Sequence, residues 1–95
     1  MTNSRMPEEL KVKRQQLDQL DLQIVDLLAR RFEITKEVGE VKALHSLEAL
    51  DAERETEKLR SLREYSMKFG LNGSLIESLF ALIMEEVVTN HKKLR

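Results

Sequence analysis

The sequence predicts an all-α fold of three helices with a very long first helix, and three observations support it. Apolar residues make up 41% of the 95-residue chain and charged ones 35%, with one Pro, three Gly and no Trp; such a mixture suits amphipathic helices and little else. Between Pro7 and Leu44 nothing interrupts a helix except Gly39. Within that stretch apolar residues recur at Leu17, Leu20, Ile24 and Leu27, then at Ile34, Val38 and Val41, the spacing that lines one helix face. The position that should continue the stripe between Leu27 and Ile34 is Arg31, a permanent cation in an apolar seam.

Residues 1–6 read as a flexible lead and 7–95 as one helical domain. Pro7, followed by Glu8 and Glu9, suits a helix start, because Pro is tolerated in the first turn and acids favour the positive end of the helix dipole. The helix then runs to about Leu44, a length of about 54 Å at 1.5 Å per residue. A helix this long cannot bury its seam inside a three-helix monomer, so its length predicts a homodimer. The connection "HSLEAL" leads to Asp51, a good N-cap. A second helix is expected from Ala52 to Lys68 with Leu59, Leu62 and Phe69 on one face, stopped at "FGLNG" by a left-handed Gly70. Ser74, with Glu77 three residues on, predicts a capping box that opens the third helix. Its stripe is Ile76, Leu79, Phe80, Ile83, Val87 and then His91.

Composition also excludes functions. A formal net charge of −1 argues against a nucleic-acid partner. Without cysteine there is no disulfide framework and no thiolate metal site. The N-terminus "MTNSRMPEEL" lacks the apolar core of a signal peptide, and no apolar run approaches a membrane span. The expectation is a soluble, cytoplasmic domain that does not engage a membrane.

The polar residues on apolar faces carry the chemistry. Arg31 and Lys42 are eleven residues apart, close to three turns, and so share a face about 16 Å apart. Both can touch a small ligand between them; equally, both can snorkel to solvent, or Arg31 can meet a buried glutamate. Glu55 shares its face with Leu59 and Leu62 and needs a partner, for which Lys42 is the obvious candidate. His91 is a hydrogen-bonding group on the inward face of the last helix, either structural or functional. Arg14, seventeen residues before Arg31, cannot reach its own chain's site, but in an antiparallel pair of long helices it arrives beside the other chain's Arg31 and Lys42. Gly39 would let those backbones approach. Several cations, one carboxylate and one polar His converge without a serine–histidine pair, a metal-ligand cluster or a phosphate loop. The pattern suits a small dianion bearing a hydroxyl.

The run "RQQLDQLDLQIVDLLARRFEITKEVGEVK", then "DAERE" and "GL…IESLFALIMEE", resembles the all-α chorismate mutases from about Leu10 to the end. The ordered elements L-D-x-L-D-x-x-I-x-x-L-L-x-x-R, V-G-x-x-K and D-x-x-R-E are specific together. The resemblance implies an interlocked homodimer of three-helix chains and a pericyclic rearrangement of chorismate to prephenate in the shikimate pathway of aromatic amino acid biosynthesis. It requires neither cofactor nor metal. It implies that Arg14 of the partner chain and Arg31 hold the substrate carboxylates and that Lys42 bonds the ether oxygen. Glu55 binds the ring hydroxyl, aided by the backbone at Asp51, with Arg54 beside the site. Two positions depart from the family pattern: His91 stands where many members have a glutamine facing the ether oxygen, and Val87 stands where a serine often donates to a carboxylate. These departures admit a related mutase or lyase acting on 4-amino-4-deoxychorismate or isochorismate. A non-catalytic helical dimerisation or regulatory module is the reading from another class; so many inward charges argue against it. Fusion to a larger enzyme is disfavoured if the 95 residues are the natural chain.

Overall fold

The computed structural model describes residues 6–94, so the expected lead lies, apart from Met6, outside the described residues. The described residues form three helices and no strand: α1 (Glu8–Leu44), α2 (Ala52–Met67) and α3 (Gly73–Lys92). The fold is all-α. It divides into two compact units, one up to Glu33 and the other from Ile34.

The helix α1 passes through Gly39 without a break for 37 residues. A single glycine in a helix interior costs only ~1 kcal/mol, too little to stop a helix flanked by strong formers. The Pro7 carbonyl accepts from the amides of Leu10 and Lys11 at 3.1 and 3.3 Å, and Glu8 and Glu9 occupy the first turn. In the first unit much of the apolar surface is open, although Leu28 and Phe32 are half-buried. Leu17, Leu20, Leu22, Ile24, Val25 and Leu27 are all more than half exposed.

The second unit holds the packed side chains. The end of α1 is a Schellman motif: Leu47 N donates to Lys42 O at 2.7 Å and Ser46 N to Ala43 O at 3.2 Å, with Ser46 in the left-handed region at φ 56. Asp51 caps α2 by accepting from Arg54 N. The helix ends at Met67, with Lys68 as its C-cap, one residue before the expected end. A second Schellman motif follows, in which Gly70 takes φ 71 and Leu71 N donates to Ser66 O. The short turn folds α3 back on α2, and the buried apolar residues are Ala49, Ile83 and Met84, joined by Ser66 and His91.

Two expectations are corrected here. The N-cap of α3 is Asn72, whose side chain accepts from Ser74 N and Leu75 N, in place of the Ser74–Glu77 box. Ser74 and Glu77 are instead drawn to Arg63 of α2, whose Nη1 lies 3.5 Å from Ser74 Oγ and 3.5 Å from a Glu77 carboxylate oxygen. Gly73 makes room for this, since a Cβ there would lie 2.8 Å from Arg63 Cγ. Phe69 falls beyond α2 and is exposed, packing its ring edge-on to Tyr65 at 5.2 Å; Leu79 is also exposed, while Met84 is buried.

Candidate active site

The expected site residues are distributed over both units. Arg14 and Arg31 belong to the first. Arg14 is exposed, and its Nη1 lies 3.2 Å from the Met6 sulfur. Arg31 is half-buried, with Nη1 withdrawn from solvent. Lys42, Asp51, Arg54, Glu55, Val87 and His91 belong to the second.

In the second unit, Lys42 stands in the last turn of α1, where a cation meets the negative end of the dipole. Its Nζ donates to the carbonyl of buried Ala49 at 3.2 Å. The expected Lys42–Glu55 ion pair is not among the ion pairs of the described residues. The connection brings a backbone carbonyl to the ammonium before α2 can bring a carboxylate. Glu55 is nevertheless half-buried in the first turn of α2, where the positive helix end favours its charge. Asp51 Oδ1 accepts from Arg54 N at 3.1 Å, so the cap sets the local backbone of both residues. Asp51 and Arg54 line an open depression with Glu53, Glu57, Lys58 and Ser61. That depression faces solvent and does not enclose a ligand by itself.

The tightest geometry belongs to His91, which is 3% exposed. Its Nε2 lies 2.7 Å from the backbone oxygen of Thr35. A carbonyl only accepts, so Nε2 carries the proton in this contact. Its other ring nitrogen, Nδ1, is buried with no hydrogen-bond partner among the described residues. An orphaned buried polar atom costs about 1–3 kcal/mol. The ring lies against Gly39, where a Cβ would come within 2.5 Å of His91 Cδ2 and 2.9 Å of Nε2. Gly39 therefore serves a close approach inside one chain. Val87, one turn before His91 on α3, is half-buried and offers no donor.

The Thr35 carbonyl and the slot at Gly39 were missed in the sequence. Helical spacing places Thr35, Gly39 and Lys42 on one face, but nothing local points to a ring fifty-two residues further along the chain. Among the described residues no group of three or more His, Asp or Glu side chains is placed to hold a metal ion. No described helix is long and apolar enough to cross a membrane.

Among the described residues of this all-helical chain, α1 carries half-buried Arg31 and Lys42 and the first turn of α2 carries half-buried Glu55. Residues 13–92 match the family model of chorismate mutase type II, and the chain belongs to that family. Among curated relatives, the T-protein of Enterobacter agglomerans is 39% identical over 85 residues, covering 90% of this chain and 23% of its own length. The T-protein of Haemophilus influenzae is 35% identical, with the same shares. A bifunctional chorismate mutase/prephenate dehydratase of Buchnera aphidicola subsp. Schizaphis graminum is 37% identical over 85% of this chain and 21% of its own. The chain thus spans under a quarter of the length of these relatives.

Proposed function

We propose that the chain catalyses the rearrangement of chorismate to prephenate, working as a homodimer with two shared sites. The observation that carries this reading is the family match over residues 13–92, which spans Arg14, Arg31, Lys42, Asp51, Arg54 and Glu55 together. The Buchnera aphidicola relatives are bifunctional chorismate mutase/prephenate dehydratases, which supports the same reading.

The reaction needs no nucleophile. Within one molecule the C–O bond of the enolpyruvyl ether breaks as a new C–C bond forms, while negative charge grows on the ether oxygen. A catalyst has to hold the compact conformer and stabilise that charge with fixed donors. Arg31, with Arg14 of the second chain, holds the two carboxylates; Lys42 donates to the ether oxygen; Glu55 and the backbone at Asp51 receive the ring hydroxyl, with Arg54 beside them. His91 faces the ether oxygen from the side opposite Lys42.

Support for the second chain comes from burial. Only Ala49, Ile83 and Met84 are buried apolar side chains among the described residues, while Leu17, Leu20, Ile24 and Leu27 stand exposed on α1. Covering such side chains is worth about 1.5–3 kcal/mol each, and a copy of the same chain supplies both the cover and Arg14.

The test is to incubate the purified chain with chorismate, follow its loss and identify the product. Prephenate is the expected outcome. Turnover of 4-amino-4-deoxychorismate in preference to chorismate, or release of pyruvate from isochorismate, would reassign the substrate. No turnover of any of the three would leave a helical dimerisation module.

A further inference from the structure

We propose that Gly39 and the Thr35 carbonyl are positioning groups that fix the tautomer of His91, so that its Nδ1 meets the ligand as an acceptor when the ring is neutral and as a donor only when it is protonated. The inference rests on the chorismate rearrangement proposed above and deepens it by making a proton on His91 part of the working site.

The argument starts from the helix ladder. The Thr35 carbonyl faces the amide of Gly39 four residues on, within the uninterrupted helix α1. Its second lone pair is taken by His91 Nε2 at 2.7 Å. The ring reaches that oxygen because residue 39 has no Cβ; one would lie 2.9 Å from Nε2 itself and 2.5 Å from Cδ2. With Nε2 committed as donor to a carbonyl, the neutral ring must leave Nδ1 as a bare lone pair. That atom is buried and has no partner among the described residues, and buried polar atoms in folded proteins are nearly always hydrogen-bonded, so this one is open to a bond from a ligand.

A developing oxyanion has no use for a lone pair. If Nδ1 faces it, the interaction is repulsive in the neutral ring and attractive in the imidazolium, which donates from both nitrogens. On α1, the face that bears Thr35 and Gly39 continues to half-buried Lys42; Lys36 and Glu40 are exposed. On α2 the half-buried carboxylate is Glu55. On α3 the residues one turn before His91 are Val87 and Val88, and Leu94 follows it against Gly39; the adjacent Lys92 is exposed. A bound dianion adds negative charge and draws the proton onto Nδ1. A glutamine in the same place carries its donor at every pH.

The experiment uses the whole chain with 15N-labelled histidine, read by two-bond proton–nitrogen NMR across a pH series, alone and with excess prephenate. In the free protein at alkaline pH the proton is expected on Nε2 with Nδ1 bare, and prephenate is expected to move Nδ1 to the protonated form. Turnover of chorismate should fall at least tenfold as pH rises through the His91 titration that NMR reports. His91→Gln should flatten that profile, and Gly39→Ala should release Nε2 from Thr35 and change the tautomer signature. Should Gly39→Ala fail to fold, recovery of folding in Gly39→Ala/His91→Ala would support the slot, and no recovery would count against it. An Nδ1–H tautomer in the free protein, an Nδ1 indifferent to prephenate, or equal pH profiles for wild type and His91→Gln would each overturn the proposal. Absence of all turnover would sink the functional reading instead, and the tautomer of the free protein would still be read.

Discussion

The two parts of one helix differ in how much of their surface is packed. Up to Glu33, α1 carries a row of leucines and an isoleucine, Leu17, Leu20, Ile24 and Leu27, that are more than half exposed. From Ile34 on, another face of the same helix is packed, with Gly39 buried and Thr35, Lys42 and Ala43 half-buried, while the stripe residues Ile34, Val38 and Val41 stay exposed. Periodicity is equally good in both parts, so the pattern alone does not separate them. A regular stripe says that a face will be covered; it does not say by which chain.

The largest expected effect comes from spoiling the uncovered part. Leu20→Asp with Ile24→Asp should abolish dimerisation, seen by analytical ultracentrifugation, and turnover should vanish with it. A monodisperse dimer with full activity would show that the stripe is not the interface. Next in size, Arg14→Ala and Arg31→Ala chains should each be inactive or nearly so, yet regain activity when mixed, because each heterodimer rebuilds about one intact site. Verified heterodimers with no recovery would mean that the sites are not shared.

In the packed part, Lys42→Ala should lower turnover about a hundredfold, or ~3 kcal/mol of transition-state stabilisation. Its hydrogen bond to Ala49 O is worth only about 1 kcal/mol to folding, so the melting temperature should move little. Intact turnover in a protein that melts early would make Lys42 structural. The smallest effect concerns the two caps of the second unit. Ser46 and Gly70 share a left-handed conformation, but only one is a glycine. Ser46→Gly should stabilise by about 0.5 kcal/mol and Gly70→Ala destabilise by about 1 kcal/mol, both measurable by urea denaturation.

Much of the fold was legible because its signals are local. Uninterrupted periodicity marked α1, Asp51 marked the start of α2, and Gly70 marked the turn. The errors arose where a distant group competes for a local one. Ser74 and Glu77 have the right spacing for a capping box, but Arg63 takes both, and Asn72 is left to cap. Lys42 was assigned to Glu55 on charge, and the Ala49 carbonyl reaches it first. The Gly39–His91 contact joins residues on different helices, and helical periodicity carries no trace of it. The pairing of site residues into a working pocket stays a proposal for the same reason: Arg14 was placed by reach along a helix, which fixes distance within one chain and is silent about the other.

The small set of buried apolar side chains also has a calorimetric consequence. The heat capacity that a protein gains on unfolding scales with the apolar surface it exposes. A lone chain in which Ala49, Ile83 and Met84 are the buried apolar side chains among the described residues, the rest being half-buried or exposed, has less such surface to release, so its stability would vary more gently with temperature. Covering the row from Leu17 to Leu27 adds that surface and bends the curve. The thermal response of this protein should therefore sharpen with concentration, with a melting temperature that climbs as more of the chain finds its cover.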